Sequence, residues 1–189
     1  MLLGLEYLHH NNIIHRDIKP ENLVFDHRGK ILRDIIIGYL YLTDMGIAKL
    51  YRKDKTIVDS SGTPGYMSPE VIINQPHDLC SDFFGIGVML HEFMFCKRPY
   101  VGKSRKEIKE QILSKEITIK VSEVSPGWSV EAADLINRLL KRRAIQRLGK
   151  NGIHEIKEHA WLKDFDWTKL YKKELISPFI PKVKIMTNY

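Results

Sequence analysis

From Asp82 to Phe95 the chain is almost wholly apolar, with polar breaks only at His91 and Glu92. A helix that is apolar all round is stable in water only if other parts of the chain cover every face of it. This one segment therefore requires a helical domain built around a buried central helix. At 189 residues, with 43% hydrophobic and 28% charged residues, the chain can build one substantial core and is short for two.

The rest of the sequence supplies the covering. Leu2, Leu5 and Leu8 recur at helical spacing, so residues 2–10 read as an amphipathic helix ended by Asn11-Asn12. Leu23-Val24-Phe25 is a short strand signal, with a turn at Asp26-His27-Arg28-Gly29. Residues 35–43 are rich in Ile and Tyr and have β character. Residues 49–69 hold Gly, Ser, Thr and Pro without a clear period and read as a long functional loop. Ser104 to Glu107 is a capping box, with Ser104 satisfying a free N–H and Glu107 reaching back. Ile108, Ile112 and Leu113 mark one face of the helix that follows. Another helix runs over 129–141, with Ala132, Leu135, Ile136, Leu139 and Leu140 inward, and a short one over 154–162. Pro178 and Pro181 keep the tail at 176–181 extended. The fold class is mostly α, with a small β patch at the N-terminal edge.

Charge and composition exclude several classes. The net charge is +7, from 30 Lys and Arg against 23 Asp and Glu. The lysines are interleaved with acids, and the densest clusters, Lys141-Arg142-Arg143 and Lys172-Lys173, are short, so nucleic acid is not the expected partner. Glu6, His9 and His10 interrupt the N-terminal apolar stretch, which has neither a membrane span nor the basic region of a secretory signal. An intracellular location is expected. Cys80 and Cys96 read as reduced, small core residues. His9, His10, His91, His154 and His159 form no closed zinc set.

The chemistry is written in His15-Arg16-Asp17-Ile18-Lys19-Pro20-Glu21-Asn22, where an acid, a lysine and an amide stand at offsets of two and five. Asp17 can accept a proton from a hydroxyl, Lys19 can brace a phosphate, and Asn22 offers a neutral oxygen to a hard metal ion. This stretch resembles the catalytic loop of a protein kinase, H-R-D-x-x-x-x-N. Thr43-Asp44-Met45-Gly46 resembles that family's Asp-Phe-Gly, with Met45 in place of Phe. Gly62 to Glu70 looks like the loop that seats a substrate peptide, ending in a Ser-Pro-Glu variant of Ala-Pro-Glu.

The resemblance implies a set of roles. Asp17 and Lys19 would be catalytic. Lys19, Glu21, Asn22, Val24, Thr43 and Asp44 would line the side of the site that takes ATP and Mg²⁺, with Asn22 and Asp44 as metal ligands. Thr63 would bond Asp17 and Lys19, as in a serine/threonine kinase. Glu70 would pair with Arg147, Asp82 would anchor the catalytic-loop backbone, and His15 would pack beneath Met45. Asp59 stands where the family carries a phosphorylated threonine, and Arg16 and Lys49 are the cations that would hold it. The segment from Arg147 to Trp167, with Pro178-Phe-Ile-Pro181, looks like the cyclic-nucleotide-dependent branch. In that branch Glu21 and Glu92 match acids that read arginine, so substrates with Ser or Thr near basic residues are implied.

Two departures qualify this. The resemblance covers only the C-terminal lobe of the family: residues 1–162 as a partial catalytic domain, with 163–189 as an extension. The Gly-rich loop and strand lysine of the other lobe do not precede it, which leaves a protein-binding, pseudokinase-like module or a lobe awaiting a regulatory partner as the alternative to an enzyme. The interval from Asn22 to Asp44 is also longer than the resemblance implies. The excess around Arg33–Tyr41 reads either as a lengthened hairpin loop or, preferred for its apolar character, as a stretch foreign to the mature protein.

Overall fold

The chain opens on α1 (Leu2–His10) and then forms β1 (Ile13–Ile14), β2 (Leu23–Phe25), β3 (Leu40–Leu42) and β4 (Lys49–Leu50). The helices α2 (Pro69–Ile72), α3 (Cys80–Phe95), α4 (Arg105–Ser114), α5 (Val130–Leu139), α6 (His154–Lys157) and α7 (Trp167–Tyr171) follow. This computed structural model describes residues 1–25 and 38–178. The turn expected at 26–29 lies outside the described residues, as do residues 33–37 of the long interval and residues 179–181 of the tail.

Helix α3 is the buried axis that its composition demands. Ten consecutive residues from Cys80 to Met89 are buried; Leu90, Glu92 and Phe95 are half-buried, and Phe93 near the end is exposed. Helix α5 lies against it through Leu135, Ile136 and Leu139, all at most 1% exposed. The two helices approach at Gly87, where a Cβ would stand 2.9 Å from that of Leu139. Leu5 of α1 is fully buried in the same core. The β patch is two small antiparallel pairs, with Ile13 opposite Leu50 in one and Leu23 opposite Leu42 in the other. Each pair ties a flank of the His15–Asn22 loop to the segment around Asp44.

Several local expectations are corrected. Ser104 does cap α4, accepting from Glu107 N at 3.2 Å, but the Glu107 carboxylate accepts from Lys103 N at 2.8 Å, one residue before the cap. Helix α6 stops at Lys157, short of the range expected. Helix α7 was not anticipated; Asp166 caps it by accepting from Lys169 N at 2.8 Å. Cys96 is not a core residue. It is exposed, in the left-handed conformation (φ 52°) that ends α3. Cys80 is buried, and burial pushes its thiol up to about 11. Alkylation of the native protein at pH 8 should therefore label Cys96 and spare Cys80, and labelling of both should require denaturant. Peptide mapping by mass spectrometry reads the outcome.

Candidate active site

The loop from His15 to Asn22 owes its shape to one buried carboxylate. Asp82, in the first turn of α3, accepts from His15 N at 2.9 Å and Arg16 N at 2.8 Å. Its Oδ2 is also 2.8 Å from His9 Nε2. These bonds hold Arg16 in a left-handed conformation, φ 72°, which a side-chain-bearing residue adopts only against a penalty. Behind them, Ile18 packs on Gly85, where a Cβ would lie 3.0 Å from the Ile18 side chain. His15 is fully buried between the two halves of the site, with Nδ1 near Asp17 N at 3.2 Å and Nε2 near Thr43 O at 3.0 Å.

This scaffold presents Asp17, 8% exposed, to a ring of donors. Its Oδ1 accepts from Thr63 Oγ1 at 2.6 Å and Thr63 N at 3.2 Å. Its Oδ2 accepts from Lys19 Nζ at 2.6 Å and Asn22 Nδ2 at 3.1 Å. Lys19 Nζ also donates to Thr63 Oγ1 at 2.8 Å. Burial alone would raise the Asp17 pKa, but the Lys19 and Thr63 hydrogen bonds and the Lys19 charge outweigh it and hold the carboxyl below its usual range. Asp17 is thus an ionised acceptor at neutral pH.

Thr63 reaches Asp17 because the loop before it comes unusually close. Gly62 has φ 137°, and a Cβ there would sit 2.9 Å from Arg16 O. Any side chain at that position would push the two loops apart. A second tie lies four residues earlier. Asp59 receives Arg16 Nη1 and Nη2, each at 2.9 Å, and Lys49 Nζ at 2.6 Å. Partial burial would raise the Asp59 pKa, yet the bonds from Lys49, Arg16 and Ser61 hold it far below the usual carboxylate range.

The side that carries the candidate metal ligands Asn22 and Asp44 is assembled from the β2–β3 pair. Asn22 O accepts from Thr43 N at 2.9 Å and Thr43 Oγ1 at 3.1 Å, which fixes Asp44 one residue beyond. The Asn22 amide nitrogen is spent on Asp17 O at 2.8 Å and on the Asp17 carboxylate, so its amide oxygen remains as an acceptor. Asp44 is exposed, at φ 64°, with Oδ1 accepting from Gly46 N at 3.0 Å. Two hard oxygen donors on adjoining segments suit Mg²⁺ better than a softer ion. Among the described residues, no group of three or more His, Cys, Asp or Glu could hold a metal. Val24 is 47% exposed and Met45 is 43% exposed, so Met45 does not plug the core.

Two features went unforeseen. Tyr66 is 6% exposed and donates to Glu92 Oε2 at 2.5 Å, with the Arg98 guanidinium 5.8 Å from its ring centre. Burial, then the Glu92 carboxylate and the charge of Glu21, push this phenol well above its ordinary range. His9 is the other; it stands four residues after the buried Leu5, a spacing that would have placed it on the inner face of α1. The Glu70–Arg147 pair is present and buried, at 2.7 Å and 2.9 Å. Arg147 spends its remaining donors on the carbonyls of Lys141, Cys80 and Arg142.

Known proteins share this sequence pattern. A family model described as "Protein kinase domain" matches residues 1–162. The serine/threonine-protein kinase sgk-1 of Caenorhabditis elegans is 38% identical over 96% of the chain. The cAMP-dependent protein kinase catalytic subunit of Dictyostelium discoideum is 36% identical over 97% of it, and mouse ribosomal protein S6 kinase alpha-6 is 36% identical over 96%. The chain spans 36%, 26% and 22% of these relatives' own lengths. Among the described residues, no helix is long and apolar enough to cross a membrane.

Proposed function

The chain belongs to the protein kinase family, and from that premise we propose that it carries the larger, mostly helical lobe of a serine/threonine kinase catalytic domain. Residues 1–162 form that lobe and 163–189 an extension. The reaction is transfer of the ATP γ-phosphoryl group to a serine or threonine hydroxyl of a protein. One observation carries this reading: Asp17 is ionised, shielded, and surrounded only by donors from Lys19, Asn22 and Thr63.

In the reaction the substrate hydroxyl oxygen bonds to the γ-phosphorus, the bond from that phosphorus to the β,γ-bridging oxygen breaks, and ADP departs. Asp17 takes the hydroxyl proton, displacing a donor that now fills its Oδ1 or Oδ2. Lys19 stays beside the transferring group and offsets its charge. Asn22 and Asp44 would hold Mg²⁺, which neutralises phosphate charge when bound. Glu92, which accepts from the Tyr66 hydroxyl, and Glu21, whose charge also raises that phenol, make a negative locale for a basic residue of the substrate. An intracellular protein substrate fits the two free cysteines.

Asp59 extends the reading. Its carboxylate acts as a permanent charge where a loop phosphate would otherwise be needed, linking Thr63's loop to Arg16, next to Asp17. Because its folded pKa is depressed, the tie is complete above the ordinary carboxylate range and weakens only as pH falls toward the lower folded value. Asp59→Ala should lower phosphotransfer and speed proteolysis between Tyr51 and Gly62. Unchanged activity and cleavage would remove the role.

The test of the function is incubation with Mg²⁺, γ-labelled ATP and a serine peptide carrying arginines, with Asp17→Asn as the control. Label transfer that survives in the variant, or transfer absent from both, would leave a non-catalytic protein-binding module as the better reading.

A further inference from the structure

Asp82 is held by more than the loop it anchors. Its side chain is 1% exposed, almost out of reach of water. A carboxylate in such a place persists only where hydrogen bonds replace its solvation. Two come from the loop, His15 N on Oδ2 and Arg16 N on Oδ1. The third comes from α1: His9 Nε2 stands 2.8 Å from Oδ2, the oxygen that also serves His15 N. A carboxylate accepts, so Nε2 of His9 carries the proton.

Packing fixes His9 in this role. Its side chain is 8% exposed, and its ring meets that of Phe83 edge to face, with centres 5.1 Å apart. Its main chain is tied to the approach of the loop as well. His9 O accepts from Asn12 N at 3.0 Å, closing the turn that leads into β1 and then into the loop. His10, the next residue, is exposed, with Nδ1 3.1 Å from Glu6 O of its own helix. Two adjacent histidines therefore differ in kind: one reaches the anchor of the loop, and the other stays at the surface.

We infer that His9 is a positioning residue for phosphotransfer, acting through Asp82 on the loop that carries Asp17. Its one side-chain hydrogen bond among the described residues goes to Asp82. The Asp82 carboxylate serves two consecutive N–H groups with its two oxygens, so a rotation that loosens one bond loosens both. His9 holds Oδ2 from the side of α1 and keeps that plane against the strain of Arg16 at φ 72°. Without this donor the buried charge is under-bonded. The turn at Arg16 then relaxes, and Asp17, one residue on, moves with it. The consequence for catalysis rests on the phosphotransfer reading; the hold on the loop does not.

Two measurements on the full chain test this, with His9→Phe, His9→Gln and His10→Phe. Phe keeps a ring against Phe83 and removes the donor, whereas Gln offers an amide N–H in place of Nε2. Amide hydrogen exchange by NMR should show the His15 and Arg16 N–H groups opening at least about tenfold faster in His9→Phe, while Leu135, Ile136 and Leu139 of α5 keep their rates. The kcat should fall about ten- to a hundredfold, with KM for ATP and for peptide unchanged. His9→Gln should recover most of both effects, and His10→Phe should show neither. If His9→Phe does not fold, His9→Met, equal to Gln in length and without its donor, replaces it. Unchanged exchange at His15 and Arg16, exchange quickened equally throughout α5, a kcat unmoved by faster exchange, or a Gln variant no better than Phe would overturn the role. A wild-type chain that transfers no phosphate would sink the phosphotransfer reading, and the exchange rates would still decide whether His9 holds the loop.

Discussion

Asp17→Asn is expected to lower phosphotransfer by about two to four orders of magnitude, the usual contribution of a positioned proton acceptor. The geometry adds a second effect. All four partners of the Asp17 carboxylate are donors, two from Thr63 on one oxygen, and Lys19 and Asn22 on the other. The variant's amide must turn its own donor toward one of these pairs. Either Thr63 or the Lys19–Asn22 side then faces a donor and loses its bond, at about 1–3 kcal/mol for a group left unsatisfied. Steady-state kinetics should therefore show a fallen kcat, and thermal melting should show a modest loss of stability. Retention of most of the wild-type kcat would exclude Asp17 as the proton acceptor.

The largest effect on stability is expected from Arg147→Ala. Its guanidinium is fully enclosed and saturated by Glu70 and three main-chain carbonyls. Burial works against its charge, yet Glu70 holds the guanidinium protonated, and Arg147 in turn holds the Glu70 carboxyl below its usual range. Removing one partner leaves a charge without compensation, at about 3–5 kcal/mol, a large share of the ~5–15 kcal/mol that stabilises a typical domain. A urea midpoint shift with unchanged slope measures it. Arg147→Lys should fare little better, since one ammonium cannot serve five directions. The double variant Glu70→Leu, Arg147→Met should regain only the share owed to Glu70, because the three carbonyls stay unpaired. A loss under about 1 kcal/mol in Arg147→Ala would mean that packing alone holds this corner.

How much of this was legible in the sequence depends on the range of the interaction. Helix α3 was legible because its composition leaves no exposed face, and the Asp17–Asn22 loop because its chemistry is contiguous. The hydroxyl-to-carboxylate contact of Tyr66 with Glu92 and the Arg98 guanidinium over it were not. Each joins residues whose approach is set by packing elsewhere, with no period or spacing to announce it. Cys96 was misread for a related reason. A small apolar residue after a buried helix looks like core, but the left-handed turn that ends the helix swings it outward.

The Asp82 carboxylate has a consequence for motion. Loops are usually the parts of a protein that open first, on their own and often. Here the loop that bears Asp17 is fastened through two of its main-chain N–H groups to Asp82 of the buried helix α3. It cannot swing free without breaking into that helix, so its lifetime is the lifetime of the core. The opening and closing needed to admit a substrate must then fall to the other side of the site, to the stretch that Asp59 holds by surface-reaching charges.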